Sequence, residues 1–214
     1  MRLILARHGE TETNRERLAL GREDVPLNDN GRRQAAAAGG SLSRLPVEAV
    51  YSSPLRRALE TAEAIAAVHG LPVQVEDGLI EMDVGEMEGL TAPEMRERYG
   101  DFLRRWFSTE AADLAMPGGE SLQQVQDRAW TAVEALRAAH PEGTVVAVSH
   151  NFTIHAVLCR ALNLPLAHFR RFRHDLAATA VIDVREDGAT VVHVNDICHL
   201  EAESLAERGG YWAT

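Results

Sequence analysis

Cysteine is scarce in this chain, with Cys159 and Cys198 the only two in 214 residues, too few for a disulfide framework. Both are expected as reduced thiols, and Cys159 falls in an apolar helical stretch that places it in the core. Long apolar runs are missing as well. No segment approaches the roughly 18 consecutive apolar residues of a membrane helix, and no signal-peptide pattern precedes the first strand, so the expectation is a cytoplasmic protein without a membrane partner. Positive charge is in deficit, with 22 basic against 32 acidic residues and a formal net charge of −10. That balance argues against a nucleic-acid surface and against docking on anionic lipid, so any anion site has to be local. Repeats and low-complexity linkers are also absent, and the length suits a single domain, 1–214, with ample chain to bury a core.

What the chain does have is a chemical junction at its start. Leu3-Ile4-Leu5-Ala6 is a continuous apolar run that reads as a strand covered on both faces, and it stops at Arg7-His8-Gly9-Glu10-Thr11. In open α/β sheets, ligands bind beyond the carboxyl ends of such strands. Arg7 offers a planar fork of donors matched to two phosphoryl oxygens, His8 a ring nitrogen able to attack phosphorus, and Gly9 lets the backbone come close. Specifying Arg7, His8, Gly9, Glu10, Thr11 and Asn14 together has a chance probability on the order of 10⁻⁸ per start position, well beyond a weak pattern match.

Periodicity organises the rest. Asn28 precedes a helix predicted from Asp29 to about Leu45, followed by a strand over Val47 to Ser52. Ser53 and Pro54 read as the cap and first turn of the next helix, which Gly70 ends, and Pro72 to Glu76 reads as a third strand. Ser121 and Gln124 suit a capping box ahead of a helix lined by Leu122, Val125, Ala129, Val133 and Leu136. Thr144 to Ser149 is a buried strand feeding His150, and a helix from Asn151 to about Leu162 follows. Ala178 to Arg185 and Thr190 to Asn195 flank Glu186-Asp187-Gly188-Ala189 as a hairpin. The alternation predicts an α/β fold in three layers with a mostly parallel sheet. Thr11 to Asp29 and Thr91 to Gly119 are long for connections. The second, with Arg96, Arg98, Arg104, Arg105, Tyr99, Phe102, Trp106 and Phe107, reads as a lid insertion at about 91–119; for most of these residues a short amphipathic helix capping the sheet is the better reading.

Six blocks in order resemble the histidine phosphatase superfamily, also called the phosphoglycerate mutase-like family, and within it the phosphatase branch. After Arg7-His8-Gly9-Glu10-Thr11 come Gly21 and Pro26-Leu27 to Gly31 with Gln34-Ala35, then Ser52-Ser53-Pro54-Leu55-Arg56-Arg57-Ala58. Glu81 with Gly85 and Gly89-Leu90, Gly118-Gly119-Glu120-Ser121, and Val148-Ser149-His150 complete the set. The resemblance implies a three-layer αβα sandwich and a phosphomonoesterase working through a phosphohistidine, with His8 as nucleophile and Glu81 as the acid that protonates the leaving oxygen. Arg7, Asn14, Arg57, His150 and Asn151 would hold the phosphoryl group, His150 as a cation. The partner implied is a small phosphorylated metabolite. No cofactor and no metal is called for, since arginines supply the positive charge that a magnesium ion supplies elsewhere, and His193, Cys198 and His199 are read as solvated or packed residues rather than ligands.

Each assignment has a plainer counterpart. Arg57 could be a solvated helix arginine paired with Glu60, His150 a strand end satisfied by backbone, and Asp83 competes with Glu81. Two positions depart from the family pattern. Met82 stands where phosphoglycerate mutases carry an arginine for the substrate carboxylate, which speaks against the alternative of a mutase, and Asn151 stands where glycine is usual. A catalytically silent phosphate-binding domain is the remaining alternative, against which stands the presence of all five principal side chains.

Overall fold

The computed structural model describes residues 1–108 and 111–200. Its six-stranded sheet has the order β3-β2-β4-β1-β5-β6. Strands β1 (Arg2–Arg7), β2 (Val47–Ser52), β3 (Val73–Val75) and β4 (Thr144–Ser149) run parallel, so their carboxyl ends share one edge. Strands β5 (Thr179–Arg185) and β6 (Gly188–Asp196) form the antiparallel hairpin against β1. Arg185 pairs with Gly188, so the turn is the dipeptide Glu186-Asp187 and not the four residues expected; Gly188, at φ 150, supplies the backbone that lets it close so tightly.

The apolar run of β1 is continuous because both faces are covered. Leu3 and Leu5 pack with α5 (Leu122–Ala139) and α6 (Asn151–Ala161), whereas Ile4 and Ala6 pack with α2 (Asp29–Leu42) and α3 (Arg56–Ala67). The predicted three layers are therefore present, as a mixed sheet with helices on both sides.

Local signals hold where the cap is self-contained. Asn28 accepts from the Gly31 N–H at 2.8 Å, and Ser121 and Gln124 form the reciprocal box that starts α5. Two boundaries differ. Helix α2 stops at Leu42, leaving Leu45 exposed, and α3 begins at Arg56 behind a Leu55 that offers no side-chain cap. Ser53 and Pro54 stay outside the helix: the Ser53 N–H still bonds the Val148 carbonyl at the sheet, and its hydroxyl meets His150 at 2.7 Å besides accepting from the Leu55 N–H at 3.3 Å.

The two long connections contain structure. A single turn, α1 (Glu12–Arg15), follows the signature. Residues Ala92–Trp106 form α4, fifteen residues long, started by a Thr91–Glu94 box and kinked at Tyr99. Its buried Met95, Leu103 and Trp106 join Met82, Phe152 and Phe169 in an apolar cluster beyond the sheet, so the helix builds a side wall where a cap on the sheet was expected.

One close approach fixes the signature loop. The start of α2 lies so near it that a Cβ on Gly31 would overlap the Glu10 carbonyl, and one on Gly9 would meet the Gly31 carbonyl oxygen at 2.5 Å. Gly31→Ala is expected to cost about 2–3 kcal/mol through backbone overlap, more than the roughly 1 kcal/mol gained from helix propensity. Urea unfolding measures the balance, and an unchanged midpoint would show that the backbone yields freely.

Candidate active site

Three strand ends assemble the site. Arg7 pairs in register with Ser149, and the His8 N–H bonds the Ser149 carbonyl at 3.0 Å, so the residues that leave β1 and β4 emerge side by side. The rings of His8 and His150 lie 5.1 Å apart between centroids. Ser52 pairs with Val148 on the other side, which brings Ser53 and the first turn of α3 with Arg57 to the same edge.

His8 is held as one tautomer. Its Nδ1 lies 2.7 Å from the Gly9 carbonyl oxygen, which can only accept, so Nδ1 carries the proton and Nε2 keeps its lone pair. Burial first, then the neighbouring Arg57 and Arg7, hold the ring's pKa well below its ordinary value, so it is neutral. Burial, Arg57 and His8 push His150 down too, and with Nε2 on Ser53 and Nδ1 buried without a partner it is neutral in the free protein, whereas the cation expected from the sequence is one holding a phosphoryl group.

Arg57 is fully buried and donates from Nη1 to the Glu23 carbonyl at 2.7 Å and from Nη2 to the Gly21 carbonyl at 2.6 Å. Glu60 pairs with Arg56 at 2.9 Å and with Arg32 at 3.3 Å, so the surface pair considered for Arg57 belongs to its neighbours. Arg7 donates to the His174 carbonyl at 2.7 Å. Burial pushes both guanidinium groups down to about 10, which leaves them charged at neutral pH.

Glu81 lies across the amino terminus of α6. Its carboxylate accepts from the N–H groups of Met82 at 2.8 Å, Phe152 at 3.2 Å and Thr153 at 3.3 Å. Burial nevertheless dominates and raises its pKa, against the pull of the Met82 N–H and Arg57. Asp83 is half-exposed, accepts from the Gly85 N–H at 2.9 Å and faces Arg22 at 3.8 Å. Met82 is wholly buried in the apolar cluster.

The two asparagines predicted to contact phosphate differ in what they leave free. The Asn14 side-chain oxygen accepts from the Thr11 N–H at 3.1 Å and hydroxyl at 2.9 Å, leaving only its Nδ2 for a ligand. Asn151 is the first residue of α6, where its N–H has no partner within the helix.

Sequence reasoning missed Ser53 as a partner of His150, and Thr153, whose hydroxyl bonds the Ile80 carbonyl at 2.7 Å beside Glu81. It also missed His155 and His174, buried with all four ring nitrogens unpartnered and pushed down to about 3 by burial. The serine carries a local cap signal that hides the other role, and the rest carry no signal along the chain. Among the described residues, no three His, Cys, Asp or Glu side chains gather as a metal site, and no helix is long and apolar enough to cross a membrane.

The Nε of Arg7, the Nε of Arg57 and Nδ1 of His150 are all buried without a hydrogen-bond partner. Buried donors so left are costly unless a ligand meets them. Neutral His8 stands among them with a free lone pair, an arrangement suited to a tetrahedral oxyanion.

Comparison with known proteins agrees with this chemistry. Residues 3–197 match the histidine phosphatase superfamily (branch 1). Phosphoserine phosphatase 1 of Hydrogenobacter thermophilus is 37% identical over 200 residues, 94% of each chain. A Salmonella choleraesuis protein named "Probable phosphoglycerate mutase GpmB" is 31% identical over 97% of this chain and 98% of its own. A solved mycobacterial glucosyl-3-phosphoglycerate phosphatase, in complex with VO3, superposes with a TM-score of 0.83 at 31% identity, covering 91% of this chain and 98% of that one.

Proposed function

Since the chain belongs to the histidine phosphatase superfamily, we propose that it hydrolyses a small soluble phosphate monoester through a phosphohistidine on His8, without a metal ion. The observation that carries this reading is the set of unpartnered buried nitrogens on Arg7, Arg57 and His150 around a neutral, tautomer-fixed His8.

In the first step the His8 Nε2 lone pair attacks phosphorus and the P–O bond to the leaving alcohol breaks. Glu81, whose pKa burial raises, gives a proton to that oxygen. In the second step Glu81 takes a proton from water, whose oxygen attacks the phosphohistidine, so inorganic phosphate and neutral His8 are returned. Arg7, Arg57, Asn14 Nδ2 and the Asn151 N–H meet the phosphoryl oxygens. His150 becomes the cation once the phosphoryl dianion is beside it, since that charge offsets the desolvation that keeps it neutral beforehand. Met82, buried where a mutase's carboxylate-binding arginine would stand, supports hydrolysis over isomerisation. We read the chain as one domain, with the described residues between 91 and 119 walling the site and meeting the non-phosphate part of a small phosphorylated metabolite.

Turnover of a phosphate ester in excess EDTA tests the reading, with vanadate as the sharper probe. Vanadate adopts the trigonal-bipyramidal geometry of phosphoryl transfer and is expected to bind about 100-fold or more tighter than phosphate. Equal affinity of wild type and His8→Ala for vanadate, measured by calorimetry, would place the vanadate elsewhere and overturn the assignment.

A further inference from the structure

The proposed acid, Glu81, sits on a segment with no regular secondary structure, residues 80–84. Proton donation to a leaving oxygen is sensitive to position, so something outside the segment has to fix its backbone. The Glu81 carboxylate is held from α6, but the peptide units on either side are held from α5. Arg128, most of whose side chain is buried, donates from Nη1 to the carbonyls of Gly78 at 2.9 Å and Ile80 at 2.7 Å. Its Nη2 donates to the Glu81 carbonyl at 3.1 Å and to Glu120 at 3.1 Å, and its Nε donates to the second Glu120 oxygen at 3.1 Å.

Glu120 extends the hold along the chain. The oxygen that takes Arg128 Nη2 also accepts from the Asp83 N–H at 2.9 Å, two residues past the acid. Its other oxygen takes Arg22 at 3.0 Å, and Arg22 Nε reaches the Glu81 carbonyl at 3.4 Å. A guanidinium is suited to this task because its five donors lie in one rigid plane; an ammonium group is a single point charge.

We propose that Arg128, locked by Glu120, is a positioning residue for the reaction, fixing the backbone of Glu81 so that its carboxyl meets the leaving oxygen. This rests on the reading of Glu81 as the general acid. It assigns to the Gly118-Gly119-Glu120-Ser121 block a task that the sequence reading left open.

The consequence is selective. A poorly leaving alcohol needs the acid and a well-stabilised phenolate does not, so displacing Glu81 should penalise alkyl esters and spare activated aryl esters. The experiment measures kcat/KM, which reports transfer up to the first irreversible step, for an alkyl phosphate and for 2,4-dinitrophenyl phosphate. Wild type, Arg128→Lys, Glu120→Gln and Glu81→Gln are compared. Arg128→Lys keeps the charge, and is expected to lose about tenfold or more on the alkyl ester and less than about twofold on the dinitrophenyl ester. Glu120→Gln keeps an acceptor for the Asp83 N–H and should show the same pattern more weakly, which preserves the test if Arg128→Lys does not fold.

Equal losses on both esters would mean that Arg128 supports the pocket as a whole, and no loss on either that it positions nothing; each overturns the proposal. Glu81→Gln separates the two readings. It should lose far more on the alkyl than on the dinitrophenyl ester, and if it does not, the acid assignment itself falls and the positioning role with it. If Glu81→Gln shows the selectivity and the Arg128 and Glu120 variants lack it, the positioning proposal alone fails.

Discussion

Replacing His8 by alanine is expected to lower kcat/KM by about 10⁴-fold or more and to abolish the covalent phosphoryl adduct, the scale seen when a nucleophile is removed from a preorganised site. The size follows from how much of the surroundings serves that one nitrogen. The Gly9 carbonyl fixes the proton on Nδ1, and burial first, then two neighbouring arginines, keep the ring neutral, so Nε2 is ready without a proton having to leave first. No neighbour replaces it. His150 Nε2 is held by Ser53, and the Nδ1 of His150 is buried. Rapid quench of the wild type with an activated ester, followed by intact-mass measurement, should show one added phosphoryl group, and the variant none. The variant should still bind phosphate, because Arg7, Arg57 and His150 remain. An adduct that persists in His8→Ala would move the nucleophile to another residue.

How much of this could be read along the chain depends on the range of the interaction. The alternation in Leu3-Ile4-Leu5-Ala6 faces two helical layers, and because neighbouring strand ends must share an edge, Arg7-His8 and Ser149-His150 meet as their motifs imply. The caps at Asn28 and Ser121 were legible because donor and acceptor lie within three residues. Ser53 was misread for the opposite reason: the partner that claims its hydroxyl, His150, is 97 residues away. The helix over Ala92–Trp106 was weakly legible because its apolar face serves a satellite cluster outside the sheet. Residues 109, 110 and 201–214, which the expected lid and single domain include, lie outside the described residues. The charge of His150 was beyond sequence reasoning altogether, since neutrality comes from burial and Arg57, which only the assembled pocket supplies.

The same burial predicts an unusual fragility in mild acid. His155 is enclosed against Phe169 and Phe172 with neither ring nitrogen hydrogen-bonded, His174 is buried near it, and both are pushed down to about 3, by burial first. In the unfolded chain each takes up a proton near pH 6.5. Between about pH 6.5 and 3 the unfolded state therefore binds about two more protons than the folded one, and stability falls with acid by about 2.7 kcal/mol per pH unit. His8 and His150, also depressed, act in the same direction, while Glu81, raised by burial, opposes them as a single group. At this rate a protein at the low end of the typical range of about 5–15 kcal/mol loses its stability about two units below pH 6.5, at the upper edge of the range where carboxylates titrate. Urea unfolding at pH 7, 6 and 5 in phosphate-free buffer measures the slope, and His155→Leu should reduce it by about 1.4 kcal/mol per unit as one proton is removed from the difference. A free energy that stays level from pH 7 to 5 would mean that water or a rearranged side chain reaches these rings. Phosphate should soften the decline at neutral pH by binding the folded state alone, so the acid limb and the occupancy of the anion site are two readings of one packed cluster of arginines and histidines.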